Sequence, residues 1–559
     1  MVRRILQSLT APVRGLHQAA YLLALLTLAS QVLALIRDRL FAHQFGAGAT
    51  LDLYYAAFKI PDVVFALIAS LVSAYVLIPR IAGKTPEASK KLLSHSASFL
   101  ILGGAVVCGV LALFAPHLLF ALFPTFEHSP RADEFVALAR ILLIQPILLG
   151  LSGILTSVTQ IHRRFVLFAL SPVLYNLGII FGTLVLYPRF GLVGIGYGVI
   201  LGAVLHLVIH IPIVVGAGLF PRLIIPSPKI VWSIARDSIP RSLALSMGSI
   251  ITLLLISLAS RVSEGAVSIY TLAGNLASVP LALIGASYAT AAFPVMAQHM
   301  QEKKLHEYKV TLTAAARHII FWSAVITVLT IVLRAYIVRV IYGTGAFDWN
   351  DTRLTAAVLA ILVVGLMAQG LILLCARAFY AAQKSWNPLY VQLADFGISV
   401  ASAYGMLKLA NTYPGFHYFV EALFRVGDVP GTQVLFIAMG ATIGQVLMGI
   451  VALLTLRTVA KNVAKELIRP MFEGFGAAIL GGASCYGVLT FTGTLAPLSL
   501  LSTVFLQGAL AGIVGLVVAG CVLSLLENQE FRDLLESLKK LTSTKALKPS
   551  GLVIEQNQP

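Results

Sequence analysis

The 559 residues are 58% hydrophobic and only 11% charged, with a mean hydropathy of +0.90 and a formal net charge of +17. A soluble domain carries about 25% charged residues, so the composition excludes an ordinary soluble protein and indicates an all-α polytopic membrane protein. The apolar runs are of helix length, not the roughly ten-residue alternating segments of an outer-membrane barrel. The positive charge does not point to nucleic acid, because the cations sit in short loops rather than on a basic folded face with interleaved aromatics.

Residues 1–17 carry Arg3, Arg4 and Arg14 ahead of the first apolar run. That run, from about 18 to 36, is too long for a cleavable signal and lacks a small-residue cleavage site, so it is read as a retained helix. Hydropathy then divides the chain into about fourteen spans, near 18–41, 51–79, 95–122, 135–160, 165–187, 191–217, 229–260, 265–297, 310–342, 353–382, 386–410, 431–458, 467–493 and 497–526.

Lys and Arg collect at the amino terminus and in every second loop: Arg80, Lys84, Lys90 and Lys91; Arg163 and Arg164; Arg222 and Lys229; Lys303, Lys304 and Lys309; Arg377 and Lys384; Arg457, Lys461, Lys465 and Arg469; and the tail. The positive-inside rule therefore predicts both termini in the cytoplasm, in keeping with an even number of spans.

An internal repeat is visible. The stretch AAFKIPDVVFALIASLVSAYVLIP resembles GNLASVPLALIGASYATAAFP, with Pro61 and Pro280 lying 219 residues apart. RRFVLFALSPVLYNLG resembles RAFYAAQKSWNPLYVQLADFG, with Pro172 and Pro388 lying 216 apart. A duplicated six-helix unit explains the shared offset, and its copies should be related by a pseudo-two-fold along the membrane normal. The predicted organisation is an amino-terminal segment 1–17, a lobe at 18–217, a second lobe at 218–458, two further helices within 459–526 and a cytoplasmic tail at 527–559. In that tail LENQEFRDLLESLKKL has helical amphipathic spacing and is expected to lie on a surface, followed by disorder.

Ionisable residues inside such a chain are functional candidates, because each costs several kcal/mol in the bilayer unless partnered. They concentrate between Ser30 and Asp62, where Arg37, Asp38 and Arg39 close one apolar run and Asp52, Lys59 and Asp62 begin the next, with a Gly-rich turn between. Farther on, Asp395 lies mid-span and is either paired with a base or part of a cation path; Asp237, beside Arg236 and Arg241, suits an interfacial ion pair. His206 and His210 share a helix face but lack a third ligand, so hydrogen bonds to neighbouring helices explain them better than a metal. Cys108, Cys375, Cys485 and Cys521 lie in apolar runs without CxxC spacing and read as small buried residues. The glycines of GLVGIGYGVILGAVLH permit close helix packing. There is no Walker A pattern, HExxH or GxSxG elbow, so neither ATP hydrolysis nor a catalytic or cofactor role is expected, and paired carboxylates for a transferase are missing.

SQVLALIRDRLFAHQFGAGATLDLYYAAFKIP resembles the first two helices of the MurJ/MviN lipid II flippases, within the wider superfamily of multidrug and polysaccharide exporters. The likeness continues, in order, through QIHRRFVLFALSPVLYNLGIIFGTLVLYPRFGLVGIGYGVILGAVLH, IPRSLALSMGSI, VIYGTGAFDWNDTRLTAAVL and ARAFYAAQKSWNPL, covering roughly residues 20–460. It implies fourteen helices in two lobes, a bacterial inner-membrane location and export of an undecaprenyl-pyrophosphate-linked disaccharide peptide for cell-wall synthesis. It also implies a hydrated cavity whose arginines, from helices one, two and eight, hold the pyrophosphate, since Arg forks suit phosphate.

The chain departs from that pattern. Ser30 and Gln31 stand where the family has Ser-Arg, Phe65 and Ala66 where it has an Arg pair, and Gly274 and Asn275 where it has Asp-Arg. Arg37 with Asp38, and the acidic Asp52, remain of the family set. Either Arg39, Lys59, Arg241 or Arg261 has taken over the phosphate contacts of a divergent lipid II flippase, with Asn275 still lining the site, or the cargo is another lipid-linked saccharide, or the chain is a non-transporting scaffold. A cation-coupled small-molecule exporter, leaning on Asp395 and Asp237, is the remaining alternative. The expected partners are the lipid-linked pyrophosphoryl substrate, membrane lipids and a coupling Na+ or H+, with the chain acting as a monomer.

Overall fold

The computed structural model describes residues 16–69, 74–81, 83–162, 164–384, 386–460, 463–495 and 500–542. The expectations for residues 1–15 and for the disordered tail beyond 542 lie outside the described residues. Among the described residues all regular structure is helical, as a bilayer without hydrogen-bonding solvent requires. Large apolar side chains point outward at many positions, among them Val106, Phe472, Ile513 and Leu525, an exterior suited to lipid tails rather than water.

Among the described residues nine helices are long and apolar enough to cross a membrane, and ten if the pair Trp349–Val364 and Leu366–Ala381, bent by 43°, counts as one span. The expected spans at 165–187 and 191–217 run together within 166–216. The described residues of those at 18–41, 51–79 and 386–410 lie almost wholly in helices but are not among the nine, so this criterion does not reach the expected fourteen.

The sixth-span glycines do what their size allows. The Phe165–Phe181 and Tyr187–Val208 helices double back at Gly191 (φ +59°) and press together with Gly178 and Gly182 facing Gly202 and Gly198. A Cβ on Gly198 would lie 2.4 Å from the Gly182 Cα. Gly198→Val is therefore expected to cost at least about 1–3 kcal/mol through overpacking, seen as earlier thermal unfolding in detergent; unchanged unfolding would show that the helices separate freely.

The repeat also appears in the backbone. Pro61 lies in the Lys59–Val64 helix, which passes into a π-helical turn at Phe65–Ala69, and Pro280 ends the Ala266–Pro280 helix, which passes into one at Leu281–Ala286. Such turns commonly mark functional sites within long helices. Phe65, at one of the positions of a missing family arginine, opens the first of these turns and is exposed.

One hydrophobic core, including Leu77, Leu93, Ile154 and Val214, serves the amino-terminal helices, and another, including Ile284, Ile319, Phe379 and Met448, serves the carboxy-terminal ones. A third, with Phe41, Tyr54, Leu276 and Phe436, joins the two sets. The Pro228–Ser260 helix packs against both sets and sits between them. The Val463–Leu495 and Leu501–Leu525 helices pack on each other and against Leu305–Ile341.

The amphipathic Gln529–Thr542 helix is tied down at its first turn: Glu530 meets Arg317 at 2.5 Å, Asn528 Nδ2 donates to Glu473 (2.8 Å), and Phe531 packs near Phe321 and Leu523. One cysteine expectation is corrected. Cys108, Cys375 and Cys485 are buried, but Cys521 faces outward from its helix.

Candidate functional site

The Leu16–Phe45 helix carries Arg37 two turns before its end, where it meets helices of both sets. Arg37 Nε and Nη2 donate to Asp38 Oδ1 at 3.0 and 2.7 Å, and Nη1 donates to Asn176 Oδ1 at 2.9 Å. The other Asp38 oxygen accepts from Asn275 Nδ2 at 2.9 Å. Asp38 is 2% exposed and Arg37 about a fifth exposed. A buried carboxylate is tolerable only when paired and hydrogen-bonded, and this one is held by a chain of four side chains running from Asn176 to Asn275.

Beyond this junction the two helix sets are sewn together. Gly265 takes a left-handed conformation (φ +85°) at the head of the Ala266–Pro280 helix, whose first N–H groups have no partner within the helix. Asp52 supplies one from the other set: Oδ2 accepts from Gly265 N (2.7 Å), and Oδ1 accepts from Ser268 N (2.7 Å) and Ser268 Oγ (2.5 Å). Arg39 does the converse at a helix carboxyl end, donating to Val340 O (2.6 Å) and Ile341 O (3.2 Å). Each charge sits at the helix terminus of opposite polarity. Further bonds join Ala47 N to Asp351, Ala49 N to Glu264, Ala346 N to His43 O, and Thr125 Oγ1 to Ser260 O. Backbones touch: a Cβ on Gly265 would lie 2.2 Å from Ala47 O. Gly265→Ala is expected to part this seam and abolish complementation of a depleted strain; full growth would show that the seam is not needed closed.

At the opposite end, on the face of the basic loops, lies a cavity of about 680 Å³. Its lining includes Arg80 from Ala74–Ile81, Arg241 from Pro228–Ser260 and Arg377 from Leu366–Ala381, with Phe293, Tyr380 and Gln392. Arg80 also donates to Ser233 O (2.6 Å) and Ser233 Oγ (3.2 Å), and the Arg377 guanidinium lies 5.8 Å from the Phe293 ring centroid.

The structure thus brings Arg37, Asp38 and Asn275 together, adds Asn176, and separates them from the rest of the predicted set. Asp52 and Arg39 are occupied at the seam. Lys59 pairs with Asp62 at 3.6 Å. Arg261 is exposed at the seam end of its helix, away from the cavity lining, whereas Arg241 lies within that lining. Asp395 accepts from Ser399 Oγ at 2.7 Å, and among the described residues no Lys or Arg pairs with it. Asp237 lies on the Pro228–Ser260 helix, with its side chain outside the described residues. His206 bonds Ser152 and His210 bonds Thr156 and Thr159, as expected of polar contacts between helices. Among the described residues no group of His, Cys, Asp and Glu could hold a metal.

Asn176, Arg80 and Arg377 do not stand out in the sequence as site residues. Asn176 is a lone amide in an apolar run, four residues past Pro172, which was a usable signal. Arg80 and Arg377 read as loop charges, and nothing in their spacing sets them apart from their lysine neighbours.

A helical membrane protein in two packed sets, sealed at one end and hollow at the other, belongs to the class of transporters. A family model described as lipid II flippase MurJ matches residues 41–506. A lipid II flippase MurJ of Burkholderia cenocepacia is 26% identical over 68% of this chain and 77% of its own length. A probable lipid II flippase MurJ of Haemophilus influenzae is 26% identical over 70% of this chain and 80% of its own. Among solved structures, a lipid II flippase MurJ in an inward closed conformation superposes with a TM-score of 0.70 at 20% identity, over 91% of this chain and all of that one. An inward-facing multidrug resistance transporter of the MATE family and MOP superfamily gives 0.63 at 17% identity, over 79% of this chain and 99% of that one. The chain belongs to the lipid II flippase MurJ family.

Proposed function

We propose that this protein carries lipid II, an undecaprenyl-pyrophosphate-linked peptidoglycan precursor, from the inner to the outer leaflet of a bacterial cytoplasmic membrane by alternating access. The observation that carries the reading is the sealed seam at one end of the helix sets with a cationic cavity at the other. With both termini cytoplasmic, the cavity opens to the side where lipid II is made and the seam closes the outer side. An apolar cleft of about 220 Å³ beside Leu35, Leu276, Pro280 and Leu283 would take part of the prenyl tail, which needs no polar partner.

In this cycle Arg37, Asp38 and Asn275 form the polar joint that re-pairs as the seam opens, while membrane potential or an ion gradient supplies the work. Depleting the protein should leave lipid II in the inner leaflet, and Arg37→Ala should fail to restore growth. Normal lipid II translocation in depleted cells would rule the reading out.

Asp395, with no base beside it among the described residues, supports a second element, Na+ or H+ coupling. If Asp395 couples transport, Asp395→Asn should abolish the dependence of flipping on the ion gradient. If the chain is instead a small-molecule exporter, the same change should raise antibiotic or dye accumulation and leave lipid II flipping untouched.

A further inference from the structure

We propose that Tyr55 is the donor to which Asp38 turns when the two helix sets part, so that its hydroxyl sets how easily the seam opens. The inference rests on the alternating-access reading and supplies the partner by which the Arg37 joint re-pairs.

Tyr55 belongs to the Ala49–Ala57 helix, three residues after Asp52 and so near the same face. It is 7% exposed, and among the described residues its hydroxyl meets no hydrogen-bond partner. A buried O–H without an acceptor costs free energy, and folded chains keep few of them. Packing does not account for this one. Its ring centroid lies 6.4 Å from that of Phe41 and 5.4 Å from that of Tyr54, a cluster that a phenylalanine would fill equally well. The ionised groups that act most strongly on the hydroxyl are Asp38 and then Arg37.

Asp38 needs such a donor once the sets separate. Its Oδ1 accepts twice from Arg37, which lies on the same helix and moves with it. Among the described residues its Oδ2 accepts only from Asn275, on the Ala266–Pro280 helix of the other set. Parting therefore strips Oδ2 in a site where Asp38 is 2% exposed. Arg37 already spends Nε, Nη1 and Nη2 on Oδ1 and Asn176. Two further tyrosines come near the joint. Tyr342 donates to Leu272 O at 3.3 Å and stays with the other set, and Tyr54 is acted on first by Arg37, a cation with no acceptor to offer.

The seam links this exchange to opening. While Asp52 holds Gly265 and Ser268, the helix bearing Tyr55 is pinned to the one bearing Asn275; release of Asp52 frees both at once. A bond from the Tyr55 hydroxyl to Oδ2 then replaces the Asn275 amide with a donor of the same set. The open state keeps its carboxylate supported, and the closed state carries the unpaired hydroxyl. Both halves of the exchange favour opening.

The test follows seam opening in the full chain in lipid nanodiscs, by maleimide labelling of A266C in a background with the four native cysteines replaced by serine, and by hydrogen exchange of the Gly265 and Ser268 amides with every native residue in place. Y55F is expected to slow both about tenfold or more, the shift made by one hydrogen bond to a charged group, with thermal unfolding no earlier than in the wild type. A residue that only packs would open faster and unfold earlier when altered. Y54F, one residue away, should label and exchange as the wild type does. In R37Q/D38N, where no carboxylate awaits a donor, Y55F should slow opening by a markedly smaller factor.

Unchanged or faster opening in Y55F, equal slowing in Y54F, or the full Y55F effect persisting in R37Q/D38N overturns the proposal; the flippase reading stands if wild-type proteoliposomes still flip lipid II. Slowing confined to Y55F in a chain that flips no lipid II supports the exchange and overturns the reading of its cargo.

Discussion

Asp52→Ala is expected to unlatch the seam. It strands the Gly265 and Ser268 N–H groups at a helix head in a site where Asp52 is 1% exposed. Loss of an N-cap costs about 0.5–2 kcal/mol, and buried donors left unpaired cost about 1–3 kcal/mol. The closed population should therefore fall about tenfold or more. Asp52→Asn should fall between, because the amide turns a donor toward groups that are themselves donors. A single cysteine at Ala266, fully buried under the seam, reports the opening in a background with the four native cysteines replaced by serine. Its labelling by an impermeant maleimide should accelerate by that factor in D52A. An unchanged labelling rate would mean that Asp52 is not the latch.

Arg37→Ala should have the larger structural effect. Among the described residues Asp38 then keeps only Asn275 as a side-chain partner, and breaking a buried ion pair from one side costs about 3–5 kcal/mol. Lower expression, earlier thermal unfolding and failure to restore growth are expected together. The double variant R37Q/D38N removes both charges, so it should regain thermal stability while still failing to restore growth, which separates the joint's role in transport from its role in folding. Growth supported by R37A at wild-type stability would remove Arg37 from the mechanism.

The helices and the face they share were legible because apolar run length and loop cations follow from the bilayer itself. The repeat was legible from two proline pairs, and the structure adds π-helical turns after Pro61 and Pro280 that no residue pattern announces. The Arg37–Asp38 pair was visible as adjacent charges, whereas Asn176, 139 residues from Arg37, and Asn275, 237 residues from Asp38, joined it only through folding. Asn275 stands at the position of a missing family arginine, and its amide is the second support of Asp38.

The seam was least legible. Asp52 and Arg39 bind backbone groups 213 to 302 residues away, and backbone donors and acceptors carry no side-chain signature. Asp52 and Arg39 stand out in the sequence by charge type alone. Their partners show that both charges are used at helix termini. The cavity arginines were hidden for the opposite reason, since Arg80 and Arg377 already had an explanation as topological charges.

Movement of lipid II across a bilayer should be a property of the purified chain itself. Proteoliposomes containing the purified protein and headgroup-labelled fluorescent lipid II, treated with an impermeant reductant, test it directly. Protein-dependent bleaching well past the outer-leaflet fraction, lost in R37Q/D38N, is the expected result. Bleaching that stops at the plateau of protein-free liposomes, with membrane potential and an ion gradient applied, would contradict it.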